Sequence, residues 1–153
     1  MKELNLAEKH KELGGIFFEK NNWNIVNDYG SPIEEHKHVR RKVGISDISY
    51  RTKLEIDGDK KYEFINNLFT NNIIDLDINS GTYGAFLTNL GTIITDSYVH
   101  KIKDIVLLDL NSVVRNDIKE YLEKYIKLAK CQLVDTTKKY SLFTIQGPKS
   151  KYL

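Results

Sequence analysis

The chain contains several short segments in which apolar and polar residues alternate, and these segments predict β-strands. Residues 82–88 and 92–102 are largely apolar or β-branched, and they flank a segment of turn composition at 89–91. Two such runs around a short turn are typical of a β-hairpin. Residues 48–56 alternate with period two, which indicates a half-buried strand. Further short apolar runs, which we also predict to be strands, lie at 105–110, 131–135 and 140–146.

Other segments have apolar residues at helical spacing. The clearest helix begins near Ser31, where Pro32 suits the first helical position and Glu34 completes a capping box with Ser31. Gly44 is expected to end this helix. Antiparallel hairpins with interspersed helices predict an α+β fold, in which helices pack on one face of an antiparallel sheet. Further helices are predicted at 4–13, 59–72 and 111–129.

The composition argues against several classes of protein but does not identify a function. The 153 residues suffice for one domain with its own core, and we treat 1–153 as a single region. The net charge of only +2 does not predict a nucleic-acid partner. The sequence predicts neither a membrane span nor a secretory signal. A single cysteine, Cys131, excludes an internal disulfide and fits the cytoplasm; we expect it to be a buried small hydrophobe.

Three segments resemble one known family. They read YGSPIEEHKHVRRKVGISDIS at 29–49, TYGAFLTNLGTIITDSYV at 82–99 and IQGPKS at 145–150. In this order and at these separations they resemble the aminomethyltransferase family, which includes the T-protein of the glycine cleavage system and its folate-binding relatives. The resemblance covers nearly the whole chain, but only about the first two-fifths of a family member.

The resemblance implies a folate-dependent one-carbon transferase. In that family an aminomethyl group arrives on the lipoyl arm of a carrier, the H-protein, and leaves as 5,10-methylenetetrahydrofolate with release of ammonia. Pro148 lies at a helix start that has no room to continue. We therefore expect 1–153 to be the N-terminal folate-binding region, truncated at its C-terminal end. Such a fragment alone is expected to be inactive, because its other lobes, or a partner chain, are missing.

The resemblance assigns the main chemistry to Asp96, an unusual residue in a strand pattern that disfavours aspartate. The family has two adjacent aspartates here, and Thr95 replaces the first. Tyr83, thirteen residues before Asp96, corresponds to a tyrosine that packs by the pterin. Strand alternation places Asp96 on one face with Ile94 and Tyr98, and Tyr98 is a further candidate cofactor contact. If that face lines a channel with little water, the carboxylate can accept a hydrogen bond from a ligand amine and orient it.

Three further residues are candidate cofactor contacts. The family analogy makes Leu54 and Leu110 channel-wall residues, although core packing explains them equally well. Arg51 replaces a methionine that usually lies near the ligand. Its cation could pair with the glutamate tail of folate or another anion, or fill the channel. No metal site is predicted, because His36 and His38 are two residues apart and do not share a helix face.

Two alternatives to the enzyme remain open on these residues. The chain could be part of a non-enzymatic folate-binding relative linked to iron–sulfur protein maintenance, and the loss of the first aspartate raises that alternative. It could also be a half-protein that pairs with a partner or self-associates through uncovered apolar faces. The one-carbon donor is equally open among glycine, sarcosine, dimethylglycine and a methylated sulfur compound.

Overall fold

The computed structural model describes residues 1–153 and contains ten strands and four α-helices. The strands are β1 (Lys2–Glu3), β2 (Ile16–Lys20), β3 (Trp23–Asp28), β4 (Gly44–Asp47), β5 (Thr52–Asp57), β6 (Ser80–Leu87), β7 (Ile93–Lys101), β8 (Val106–Leu110), β9 (Gln132–Asp135) and β10 (Phe143–Gln146). The helices are α1 (Ala7–Glu12), α2 (Pro32–Arg41), α3 (Lys61–Asn66) and α4 (Arg115–Ile126). They form two compact units, one of residues 51–137 and one of residues 1–50 with 138–153.

The unit of residues 51–137 is built on a five-stranded sheet in the order β6-β7-β8-β5-β9. Every neighbouring pair in this sheet is antiparallel. One face carries the hydrophobic core, to which α3 and α4 contribute their apolar sides. The predicted α+β class is therefore confirmed. The fully buried core residues include Leu54, Ile56, Ile65, Phe86, Val99, Leu108, Leu110, Ile118 and Leu122.

The unit of residues 1–50 and 138–153 contains two small sheets. One has the order β1-β3-β2, with a parallel β1–β3 pair, and the other pairs β10 with β4 in antiparallel register. Hydrogen bonds of the buried His10 side chain join α1 to β4: its Nε2 lies 2.9 Å from Oδ2 of Asp47, and its Nδ1 lies 2.6 Å from the hydroxyl of the more exposed Tyr29. Burial, followed by the charges of Asp47 and Glu35, raises the pKa of Tyr29. The phenol therefore stays protonated as a hydrogen-bond donor.

The β6–β7 hairpin and α2 lie where the sequence pattern predicts them, but two local details differ. The Ser31 side chain makes no capping hydrogen bond. Instead, Oε1 of Glu35 accepts hydrogen bonds from the backbone N–H groups of Tyr29 and Ser31, while Glu34 pairs with Lys37. The capping-box prediction was therefore wrong by one residue, because the carboxylate that folds back belongs to Glu35.

The second difference concerns the predicted strand at 48–56. Residues 48–51 belong to neither β4 nor β5 but form a turn between them, so the strand begins only at Thr52, four residues later than the alternation predicts. Each strand pairs within a different sheet. No helix combines the length and the apolar character that crossing a membrane requires.

Candidate functional site

The hairpin of β6 and β7 positions the residues that the sequence singles out. In its antiparallel register Tyr83 lies opposite Tyr98, and Ala85 lies opposite Asp96. Alternation then places Tyr83, Asp96 and Tyr98 on the sheet face that is opposite the core, because Ser97 and Val99 between them are buried. The predicted sharing of one face by Asp96 and Tyr98 follows from this register.

The Tyr83 and Asp96 side chains touch directly. The Tyr83 hydroxyl donates a hydrogen bond to Oδ2 of Asp96 at 2.6 Å. The rings of Tyr83 and Tyr98 pack with centroids 5.0 Å apart at an interplanar angle of 51°. Tyr83 and Tyr98 are 53% and 49% exposed as residues. The result is a carboxylate beside an open aromatic surface, with its second oxygen, Oδ1, lacking a hydrogen-bond partner in the chain.

Electrostatics at this face keep the phenol protonated. The hydrogen bond to Asp96 is the largest of the effects that raise the pKa of Tyr83, followed by partial desolvation and the Asp96 charge. The guanidinium of Arg51 acts in the opposite direction. Tyr83 therefore serves as a hydrogen-bond donor to Asp96 rather than as a phenolate base.

Thr95 lies on the other side of the strand from Asp96. It is buried, and its hydroxyl donates a hydrogen bond to the backbone carbonyl of Asp96 at 2.9 Å. An ionised aspartate at this position would be a buried charge, which is costly without a cationic partner. The threonine side chain satisfies its own hydrogen-bonding capacity and leaves Asp96 as the only carboxylate of the hairpin.

Leu54 and Leu110 lie in the hydrophobic core, and each has 0% exposure. Leu54 pairs with Leu108, and Leu110 pairs with Ser97, so both point to the face opposite Asp96. Of the two roles that the sequence left open, core packing is the one these positions fulfil. The backbone of the sheet separates both leucine side chains from a ligand on the Asp96 face.

Arg51 lies beside the Asp96 face but has an internal partner that sequence reasoning missed. Its Nε donates to Oδ1 of Asp109 at 2.5 Å, and Nη2 donates to the Asp109 carbonyl at 3.3 Å. Asp109 is the register partner of Tyr98 and is 58 residues from Arg51 in the chain. The apolar run at 105–110 predicts the strand that contains Asp109, but nothing in that run identifies Arg51 as its partner.

The part of this face around Asp96 is open to water, because the Asp96 side chain is exposed. Two grooves of this unit, one lined by α3 and α4 and one beside the hairpin turn, are lined by residues other than Asp96 and Tyr83. The water-poor channel expected around the carboxylate is therefore not supplied by this part of the sheet alone.

Comparison with known proteins places this arrangement in context. The model of the GCVT N-terminal domain family matches residues 6–153. The aminomethyltransferase of Halothermothrix orenii is 31% identical over 153 residues, which are 99% of this chain and 42% of that protein. The aminomethyltransferase of Bacillus licheniformis is 28% identical over 152 residues, with the same two coverages.

A solved structure has the same fold. The crystal structure of glycine cleavage system aminomethyltransferase T from Bartonella henselae superposes with a TM-score of 0.86 at 25% sequence identity. The match covers 99% of this chain and 42% of that chain. The chain thus spans about two-fifths of the length of the relatives it matches. Because the family model covers residues 6–153, the chain belongs to the GCVT N-terminal domain family.

Proposed function

We propose that this chain supplies the tetrahydrofolate-binding wall of an aminomethyltransferase, in which Asp96 holds a ligand amine and Tyr83 and Tyr98 seat a flat ring. The observation that carries the proposal is the Tyr83–Asp96 hydrogen bond of 2.6 Å beside the open ring pair. The membership of the GCVT N-terminal domain family supports the same role.

The residues of this face suit tetrahydrofolate chemically. The exposed rings of Tyr83 and Tyr98 offer an aromatic surface for a pterin or an aminobenzoyl ring. The Oδ1 atom of Asp96 can accept a hydrogen bond from a folate amine, while Tyr83 keeps the carboxylate in place through Oδ2. When bound, tetrahydrofolate supplies the nitrogen atoms that accept the one-carbon unit.

The chain's own contribution is positioning and charge stabilisation. Asp96 stabilises positive charge that develops on the ligand nitrogen during transfer, and its fixed orientation favours attack in one direction. Arg51 contributes a cation near the other side of the ring pair, although part of that charge is balanced by Asp109. The proposed donor is an aminomethyl group on a lipoylated, H-protein-like carrier, and the proposed setting is the cytoplasm.

Binding is tested with the chain as it is. Isothermal titration with tetrahydrofolate, together with ¹H–¹⁵N spectra, should place the shifts on β6 and β7. Asp96→Asn should weaken binding about tenfold, because a charge-assisted hydrogen bond becomes a neutral one. Asp104→Asn is the matched control, since Asp104 is an exposed aspartate of the β7–β8 turn. Equal binding by wild type and Asp96→Asn would refute the role of Asp96.

Transfer is tested in a chimaera. This chain replaces the corresponding part of the Bacillus licheniformis aminomethyltransferase, and formation of methylenetetrahydrofolate and ammonia is measured with a lipoylated carrier as donor. Turnover that falls on Asp96→Asn supports the enzyme. A folded chimaera that binds tetrahydrofolate without turnover refutes transfer by this chain and favours the non-enzymatic folate-binding alternative.

A further inference from the structure

The ion pair between Arg51 and Asp109 lies on the same sheet face as Asp96. That face therefore carries charged side chains at two places, Asp96 and the ion pair. Asp109 is the register partner of Tyr98, and Tyr98 is the register partner of Tyr83. These three side chains therefore form a row across β6, β7 and β8. With neighbouring strands about 4.8 Å apart, the row is about 10 Å long. Asp96 contacts the Tyr83 end of the row, and Arg51 contacts the Asp109 end.

We infer that Asp109 is a positioning residue that holds Arg51 so that its guanidinium binds a carboxylate of the same ligand whose amine contacts Asp96. This inference rests on the proposed function and names the residues that bind the anionic end of its aromatic ligand. In folate, the para-aminobenzoyl group and the attached glutamate together, from the amine to a carboxylate, have about the length of the row.

The geometry of the pair leaves part of the guanidinium available. Two N–H donors of Arg51 are directed at Asp109, and its other N–H groups have no acceptor in the chain. The Arg51 side chain is 26% exposed, whereas that of Asp109 is 8% exposed. Asp109 is therefore the buried anchor, and the guanidinium presents its free edge outward.

The backbone of Arg51 is also held. The Lys53 ammonium donates a hydrogen bond to the Arg51 carbonyl at 3.0 Å. An arginine that is fixed at both its backbone and its Nε loses little conformational entropy when a carboxylate binds, which favours bidentate recognition.

The experiment compares tetrahydrofolate with its diamide, in which both glutamate carboxylates are replaced by carboxamides. The ratio of the two dissociation constants measures recognition of the anionic tail. We expect the wild-type chain to prefer the acid about tenfold, as one charge-assisted hydrogen bond predicts. Arg51→Gln should reduce the ratio to about one, because it removes the charge and leaves a shorter, neutral polar side chain.

Asp109→Asn separates positioning from simple neutralisation. If Asp109 positions Arg51, the ratio falls to about twofold or less, since the guanidinium loses its anchor. If Asp109 only neutralises Arg51, its removal leaves a net positive charge and the ratio rises above the wild-type value. A rise overturns the inference. Asp109→Glu keeps the charge and should restore part of the preference.

A second ion pair provides a matched control. Nε of Arg115 lies 2.5 Å from Oδ2 of Asp135, which is the Nε–carboxylate distance of the Arg51 pair. Asp135 is the register partner of Leu54 and lies on the opposite face of the sheet. Asp135→Asn should leave the acid-to-diamide ratio unchanged, and a change as large as that of Asp109→Asn would mean that the ratio reports general loosening of the sheet and would overturn the inference.

The outcome also separates this inference from the proposed function. Equal binding of acid and diamide, with shifts still centred on Asp96, overturns the inference and leaves the proposed function standing. Absence of binding of both ligands to the folded chimaera refutes both.

Discussion

Leu54 offers the sharpest test of the division between the two faces of the sheet. The family analogy makes it a candidate channel wall, whereas the structure buries it completely among the core residues of β5 and β8. The perturbation is Leu54→Ala. Its matched control is Leu90→Ala, because Leu90 lies in the hairpin turn and is 93% exposed.

The expected magnitude follows from burial. Removing three buried carbon groups at about 0.8 kcal/mol each lowers the free energy of unfolding by about 2.4 kcal/mol. A residual cavity raises the loss to about 3 kcal/mol or more, since packed cores collapse only partly around a deletion. Leu90→Ala should change the free energy of unfolding by less than about 0.5 kcal/mol, as exposed substitutions do.

Urea unfolding followed by circular dichroism and by amide exchange in β5 and β8 measures this difference. With a slope of about 2 kcal/mol per molar urea, the midpoint should fall by about 1.5 M for Leu54→Ala. Fluorescence of Trp23, the only tryptophan, reports on the other compact unit and should be followed separately. A loss below about 1 kcal/mol accompanied by weaker tetrahydrofolate binding would refute the core assignment and restore the channel-wall interpretation.

Further predictions concern titration and packing. Asp96→Asn should lower the pKa of Tyr83 towards its ordinary value, because the hydrogen bond to Asp96 is the main cause of the raised pKa; NMR of ¹³Cζ-labelled tyrosine measures it, and an unchanged pKa would contradict the contact. The pKa of Asp135 is lowered: burial raises it, but hydrogen bonds to its ionised form outweigh burial. Its stabilising effect is therefore fully present above its ordinary pKa of about 3.9 and is lost as the pH falls through the lower pKa of the folded state. Asp135→Asn should accordingly lower the urea midpoint less at pH 2 than at pH 7, and equal losses at both pH values would contradict the ionic contribution. Gly84→Ala should cost about 1–3 kcal/mol in thermal or urea unfolding, since the new Cβ would lie 2.6 Å from the Phe69 ring, and an unchanged midpoint would show that the ring moves freely.

Local periodicity determined the elements that carry the site. A hairpin depends on a short turn and on alternation within each strand, and both are properties of neighbouring residues. The sequence therefore located β6 and β7 and placed Asp96 on one face with Tyr98. The spacing of thirteen residues from Tyr83 to Asp96 also follows from the hairpin, and it brings the phenol to the carboxylate.

Tertiary packing determined which face of the sheet is buried and which side chains pair between strands that are distant in the chain. Alternation separates Leu54 from Lys53, but only the packing of α3 and α4 makes the Leu54 face the core. Arg51 meets Asp109 because β5 and β8 are neighbours in the sheet although 58 residues separate the two side chains. Such contacts arise from strand order, which depends on the burial of whole faces rather than on any local pattern. Sequence periodicity thus located the hairpin, the family resemblance singled out its carboxylate and tyrosine, and tertiary packing alone supplied the charged pair beside them.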